Sequence, residues 1–189
     1  MVRKIFIAAA ISASFTTTAA TAGGVEDRIR ALAADQLSQW VQSATVIDAV
    51  REQNEKHAGL SQSDIDALDQ TWRSQADSGS QPMIDDLLSR SVSEYLREQQ
   101  SESGGLITEV FIMDNHGLNV AQSDATSDYW QGDEAKFQKT FGAGSGTIFV
   151  DEVEFDDSSG YYQVQVSLTI DDPADGSPIG AVTFGIAME

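Results

Sequence analysis

Asp128, Tyr129 and Trp130 stand side by side in the segment 109–134, EVFIMDNHGLNVAQSDATSDYWQGDE, with Asp133 and Glu134 a few residues on. A carboxylate beside two amphipathic rings is chemistry for recognition. The rings can enclose a ligand cation or an apolar side chain, and the carboxylate can pair with an amine. The same rings could fill an ordinary core, and Asp128 could cap a helix that follows, although Asp133 and Glu134 suit that helix's first turn better. Of these acids, Asp128 is the one expected to meet a ligand. Three further residues complete the candidate site. Gln163 and Gln165 lie on the polar face of a later strand, which meets either water or a polar cavity. Met113 ends an apolar strand that also holds Phe111 and is placed in the core, within reach of a ligand. Arg73 could hold a carboxylate, but a surface helix position accounts for it and it stays outside the site.

Chemistry beyond binding finds no support. His57 and His116 are too few and too far apart in sequence to imply a metal. Asp124, Thr126 and Asp128 imitate the odd positions of a calcium loop, yet Tyr129 stands where that loop needs Gly and Ala135 where it needs a bidentate Glu. The run Asp151, Glu152, Glu154, Asp156 and Asp157 reads as a solvated strand edge rather than a cation site. Gly142–Gly146 follows a helix and precedes a strand, the reverse of a phosphate-binding loop. Ser145 lacks the flanking glycines of a nucleophile elbow. The sequence therefore points to no catalytic residue, no metal and no cofactor, and an enzyme is not expected.

Composition narrows the setting. Arg3 and Lys4, the apolar run from Ile5 to Ser14 and Ala20-Thr21-Ala22 follow the pattern of a secretion signal, so cleavage after Ala22 and a periplasmic or secreted protein are expected. The apolar run is far shorter than the ~20 residues of a bilayer span. With no cysteine, disulfides, thiolate zinc sites and thiol catalysis are excluded, and stability must come from a packed core. The formal charge is -19 and falls by two more when Arg3 and Lys4 leave, which disfavours nucleic acid and anionic lipid as partners.

The elements that must position the candidate residues fall into two halves of one domain over 23–189. Apolar residues at Val25, Ile29, Leu32, Ala33, Leu37, Trp40, Val41, Ala44, Ile47 and Val50, with neither Gly nor Pro from Val25 to Ala58, predict one long helix ended at Gly59. Ser61 with Asp64 three residues on predicts the start of a second helix. Pro82 opens a third, striped by Ile84, Leu87, Leu88, Val92, Tyr95 and Leu96 and stopped by Gly104-Gly105. Residues 25–103 are thus helical and residues 106–188 sheet-rich. Strands are predicted at 107–113, 118–122, 147–155, 161–170 and 179–188, with Asp114-Asn115-His116-Gly117 as a hairpin turn and a short helix within 131–141. The fold class is α+β, with a mostly antiparallel five-stranded sheet.

That order resembles the extracytoplasmic PAS-like sensors of the Cache superfamily, and the wording is closer to a single-Cache, PDC-type domain. The likeness lies in ITEVFIMDNHGLNVAQSDATSDYWQGDEAKFQKTF at 107–141 and VEFDDSSGYYQVQVSLTIDDPADGSPIGAVTFGI at 153–186, with softer matches in QSATVIDAVREQN and IDALDQTWRSQ. The resemblance implies a small polar metabolite, an amino acid, amine or carboxylate, held between the sheet and the loop and helix that cover it. Its occupancy would be reported through the long helix to a partner transmembrane receptor or kinase, because the sequence ends at Glu189 with no second span. The long helix leaves a homodimer open. The alternative is a protein-interaction module for dimerisation or docking, without a working ligand pocket.

Overall fold

The computed structural model describes residues 22–156 and 161–188, so the expected signal segment before Ala22 lies outside the described residues. The α+β architecture expected above is present. Five strands, β1 (Ile107–Met113), β2 (Asn119–Gln122), β3 (Ile148–Asp156), β4 (Tyr161–Asp171) and β5 (Pro178–Met188), form an antiparallel sheet in the order β2-β1-β5-β4-β3.

Alternation sorts the strand residues onto two faces. Val110, Ile112, Val164, Val166, Leu168, Val182, Phe184 and Ile186 are buried on one face against the N-terminal helices and Val92 and Leu96. Each fully buried Val, Ile or Phe there contributes about 1.5–3 kcal/mol. Phe184 also meets Trp40 edge to face at 5.7 Å. The opposite face carries Glu109, Phe111, Met113, Gln163, Gln165, Ser167 and Thr183, and among the described residues Phe137 and Phe141 pack on it against Phe111 and Met113.

The single helix predicted over 25–58 is interrupted. α1 (Ala22–Leu32) passes through a π turn at Ala33–Leu37 into α2 (Ser38–Val41), and α3 (Ala44–His57) starts anew after Ser43. Ile29, Ala33, Leu37 and Val41 are all buried at a spacing of four. An α-helix repeats every 3.6 residues, so its stripe would drift off the sheet; the wider π turn keeps the four in line. Ser43 is extended (φ -65°, ψ 145°) and its side chain accepts from the Val46 N–H, which ends one helix and caps the next.

α4 (Gln62–Ala76) carries the predicted cap in full: Ser61 and Asp64 each bond the other's backbone N–H. The helix predicted after Pro82 divides at Arg90, also extended, into α5 (Pro82–Ser89) and α6 (Ser91–Glu102). Arg90 turns out of the helical path and Nη1 donates to Gln53 Oε1 at 3.1 Å and to the Val120 carbonyl at 3.0 Å.

Where α3 ends, it grips the β1–β2 turn. Asp114 is fully buried and its carboxylate accepts four donors. His57 Nδ1 lies 2.7 Å and Gln53 Nε2 3.0 Å from Oδ2, while the N–H groups of His116 and Leu118 lie 2.8 and 3.0 Å from Oδ1. Gly117 closes the turn at φ 82°, a conformation that L side chains resist, and a Cβ there would stand 2.5 Å from Gly132 Cα.

Candidate functional site

The loop after β2 folds back on the end of the sheet. Leu118 bridges to Trp130, and Asn119 N–H donates to the Tyr129 carbonyl at 3.0 Å, fixing residues 128–130 along the hairpin. Their rings turn inward. Tyr129 is 4% exposed and stacks on Trp72 of α4, centroids 5.4 Å apart. Trp130 packs beside it and its Nε1 donates to the His116 carbonyl at 2.9 Å. Burial pushes the Tyr129 phenol well above its ordinary pKa, with the Asp114 carboxylate adding to the shift, so the ring stays neutral.

Polar side chains of α4 hold this loop from outside. Asp69 Oδ1 accepts the N–H groups of Tyr129 and Trp130 at 2.9 and 3.0 Å, and its Oδ2 takes Arg73 Nε at 2.7 Å. Arg73 Nη1 then reaches Asp128 Oδ1 at 3.0 Å, and the hydrogen bond to Asp69 is the main reason its guanidinium pKa is raised. Set aside on sequence grounds, Arg73 turns out to pin the expected site residue Asp128. The space beneath 128–130 is thus filled by the protein's own rings, because α4 and α5 offer them an apolar seat around Ile65, Trp72 and Leu87.

An open cleft lies on the polar face of the sheet. It measures about 250 Å³ and is lined by Glu134, Ala135, Lys136, Asp151, Glu152, Glu154, Gln163 and Gln165. Of the six residues expected at the site, Gln163 and Gln165 line it, while Asp128, Tyr129, Trp130 and Met113 do not. Met113 is buried instead with Phe111, Phe137 and Ala181, where α7 (Ala135–Gln138) sits on the sheet. That helix is only four residues long, followed by a 3-10 turn at Phe141–Ala143, where a helix within 131–141 was predicted.

α7 and β3 supply the residues that sequence reasoning missed. Lys136 lines the cleft, 5.3 Å from the Phe111 ring centroid, with Nζ 2.7 Å from Glu134 Oε2. Asp151, Glu152 and Glu154 come from β3, where the register shifts between Val150 and Val153. Glu109 of β1 reaches across Gly185 of the intervening β5 and accepts Gln165 Nε2 at 3.0 Å, and Thr108 Oγ1 donates to Gln163 Oε1 at 2.5 Å. Four carboxylates against one ammonium give the lining an excess of negative charge. The acidic run was visible in the sequence as a strand edge, but nothing there indicated that Lys136 would face it. Among the described residues, no group of three or more His, Asp and Glu is placed to hold a metal ion, and no helix is long and apolar enough to cross a membrane.

No protein-family model matches the sequence, and no curated protein matches it. Solved structures with a similar arrangement are sensor domains of histidine kinases and chemoreceptors. The V. cholerae histidine kinase DctB sensor domain aligns at 10% identity over 86% of this chain and 51% of its own, with a TM-score of 0.47. The ligand-binding domain of the Campylobacter jejuni chemoreceptor Tlp3, in complex with 4-methylisoleucine, aligns at 17% identity over 92% and 62%, with a TM-score of 0.38. That of the Pseudomonas aeruginosa amino acid chemoreceptor PctC, in complex with GABA, aligns at 16% identity over 87% and 61%, also with a TM-score of 0.38. The chain thus spans between about half and three-fifths of the length of these structures.

Proposed function

We propose that the chain is a non-enzymatic, extracytoplasmic sensor module of the Cache type that binds a small amine-bearing metabolite and reports its occupancy to a membrane partner. The observation that carries this reading is the cleft of about 250 Å³ on the polar face of the sheet, with its excess of carboxylates. A cavity of that size suits a ligand of amino-acid or diamine dimensions. Because Lys136 is already neutralised by Glu134, the acids Asp151, Glu152 and Glu154 are left to attract a ligand ammonium. Gln165 spends its Nε2 on Glu109, which leaves its Oε1 to accept an N–H from the ligand.

Asp128, Tyr129 and Trp130 serve this site indirectly. They anchor the loop that carries α7, and α7 in turn presents Lys136. A route for the signal starts at the strand that lines the cleft: Arg30 Nη1 of α1 donates to the Ile148 carbonyl of β3 at 2.8 Å, so displacement of β3 reaches the first helix.

Titration calorimetry with a panel of diamines, amino acids and amine-free carboxylates tests the reading. Ligands bearing an amine should bind, and one present at a hundred times its Kd should stabilise the fold by about 2.7 kcal/mol. Asp151→Asn combined with Glu154→Gln should weaken binding about tenfold or more. Binding confined to amine-free carboxylates would overturn the ligand class. The filled space beneath Tyr129 and Trp130 favours a second reading, a protein-interaction module, which gains if no metabolite shifts melting.

A further inference from the structure

β3 closes the sheet on one side: it pairs with β4, and among the described residues no strand pairs with its other edge. Such an edge presents backbone N–H and C=O groups that another strand can use. Its beginning is occupied, since Arg30 takes the Ile148 carbonyl. Beyond the register shift, Val153 and Phe155 stand opposite Val164 and Tyr162, on the helix face, whereas Glu152 and Glu154 line the cleft face. Val153, Phe155 and Tyr162 are 50%, 52% and 59% exposed. The Phe155 and Tyr162 rings meet edge to face at 5.2 Å and face water together.

Charges and a register shift are devices that keep a sheet edge from pairing indiscriminately. Leaving a valine and two aromatic rings exposed between those charges works against that purpose, so the edge is selective rather than merely blunted. We propose that the edge of β3 from Val150 to Phe155 receives an extended segment of a partner protein in which basic and apolar side chains alternate. Its basic residues lie over Glu152 and Glu154, its apolar residues over Val153 and Phe155, and its backbone completes the hydrogen bonding of the edge. A second copy of this chain does not fit. Pairing β3 with itself would bring Asp151, Glu152 and Glu154 of both copies into one ladder, and like charges opposite each other destabilise a pair. The surface shares Glu152 and Glu154 with the cleft, but its backbone pairing and its contacts with Val153 and Phe155 do not depend on a metabolite binding there.

The experiment uses the full chain and a synthetic, end-capped peptide of alternating lysine and valine. Fluorescence anisotropy gives affinity, and amide hydrogen exchange gives the location. Binding with new protection confined to β3 is expected. N-methylation of alternate peptide amides, or grouping the lysines at one end, should each weaken binding about tenfold or more, as should Phe155→Ser with Tyr162→Ser in the protein. Val153→Thr provides the same test if that double variant fails to fold. Equal binding by the N-methylated or regrouped peptide would reduce the effect to charge attraction and overturn the proposal. Protection elsewhere, affinity unchanged by every protein variant, or no binding at about 1 mM peptide would do the same.

Discussion

Two hairpins of the sheet, β1–β2 and β3–β4, meet opposite fates. At the β1–β2 turn, α3 brings His57 and Gln53 to Asp114, and the 128–130 segment lies along β2. All four residues of β2 are buried. At the far end of β3 and β4, Phe155 and Tyr162 are left in solvent. Strand chemistry does not decide between these outcomes. What decides is whether a neighbouring helix supplies donors and apolar cover. Where it does, polar residues are consumed in holding the fold; where it does not, they remain available for a ligand or a partner.

Breaking the closed hairpin should have the largest effect. Asp114→Ala removes the acceptor shared by four donors, three of them buried, and a loss of about 3–5 kcal/mol in urea denaturation is expected. A loss under about 1 kcal/mol would show that the network is incidental. Gly117→Ala should cost about 2 kcal/mol in the same measurement, because its φ of 82° and the Gly132 backbone both oppose a Cβ. On the open hairpin, Phe155→Ser should change stability by less than about 1 kcal/mol, since the ring is half in water already. A cost equal to that of Asp114→Ala would erase the contrast between the hairpins.

The smallest effect concerns the link from α3 to the β4–β5 turn. The hydrogen bond from Arg51 holds the Asp172 carboxyl below its ordinary value. Stability from a depressed carboxyl is fully present above the unfolded value, about 3.9, and is lost as pH falls through the lower folded value. Melting temperatures of the protein and Arg51→Gln should therefore differ above about pH 4 and converge below it. A difference that persists in acid would place the contribution of Arg51 elsewhere.

Much of the scaffold was legible because it follows from local rules. Ser61 with Asp64 announced α4, and the alternation from Tyr162 to Ile170 announced a two-faced strand. The break at Ser43 and the turn at Arg90 were not legible, since neither residue is a helix breaker. Ser43 is recruited as a cap, and Arg90 is drawn out by Gln53 and the Val120 carbonyl, partners distant in sequence. Within the candidate site, Gln163 and Gln165 were found from the polar face of their strand. Lys136 was not, because only the docking of α7 on Phe111 carries it to the cleft.

By itself the sequence determined the α+β class, the alternating faces of the strands and the acidity of the β3 segment, all of which depend on residue type and spacing along the chain. The tertiary structure alone decided that Tyr129 and Trp130 would fill space rather than enclose it, and that the cleft would open beside Gln165. Trp72 lies 57 residues before Tyr129, and it is this distant ring that gives Tyr129 its seat. A flat aromatic surface is attracted equally to a ligand or to another ring, and only the arrangement of helices in space determines which of the two it meets.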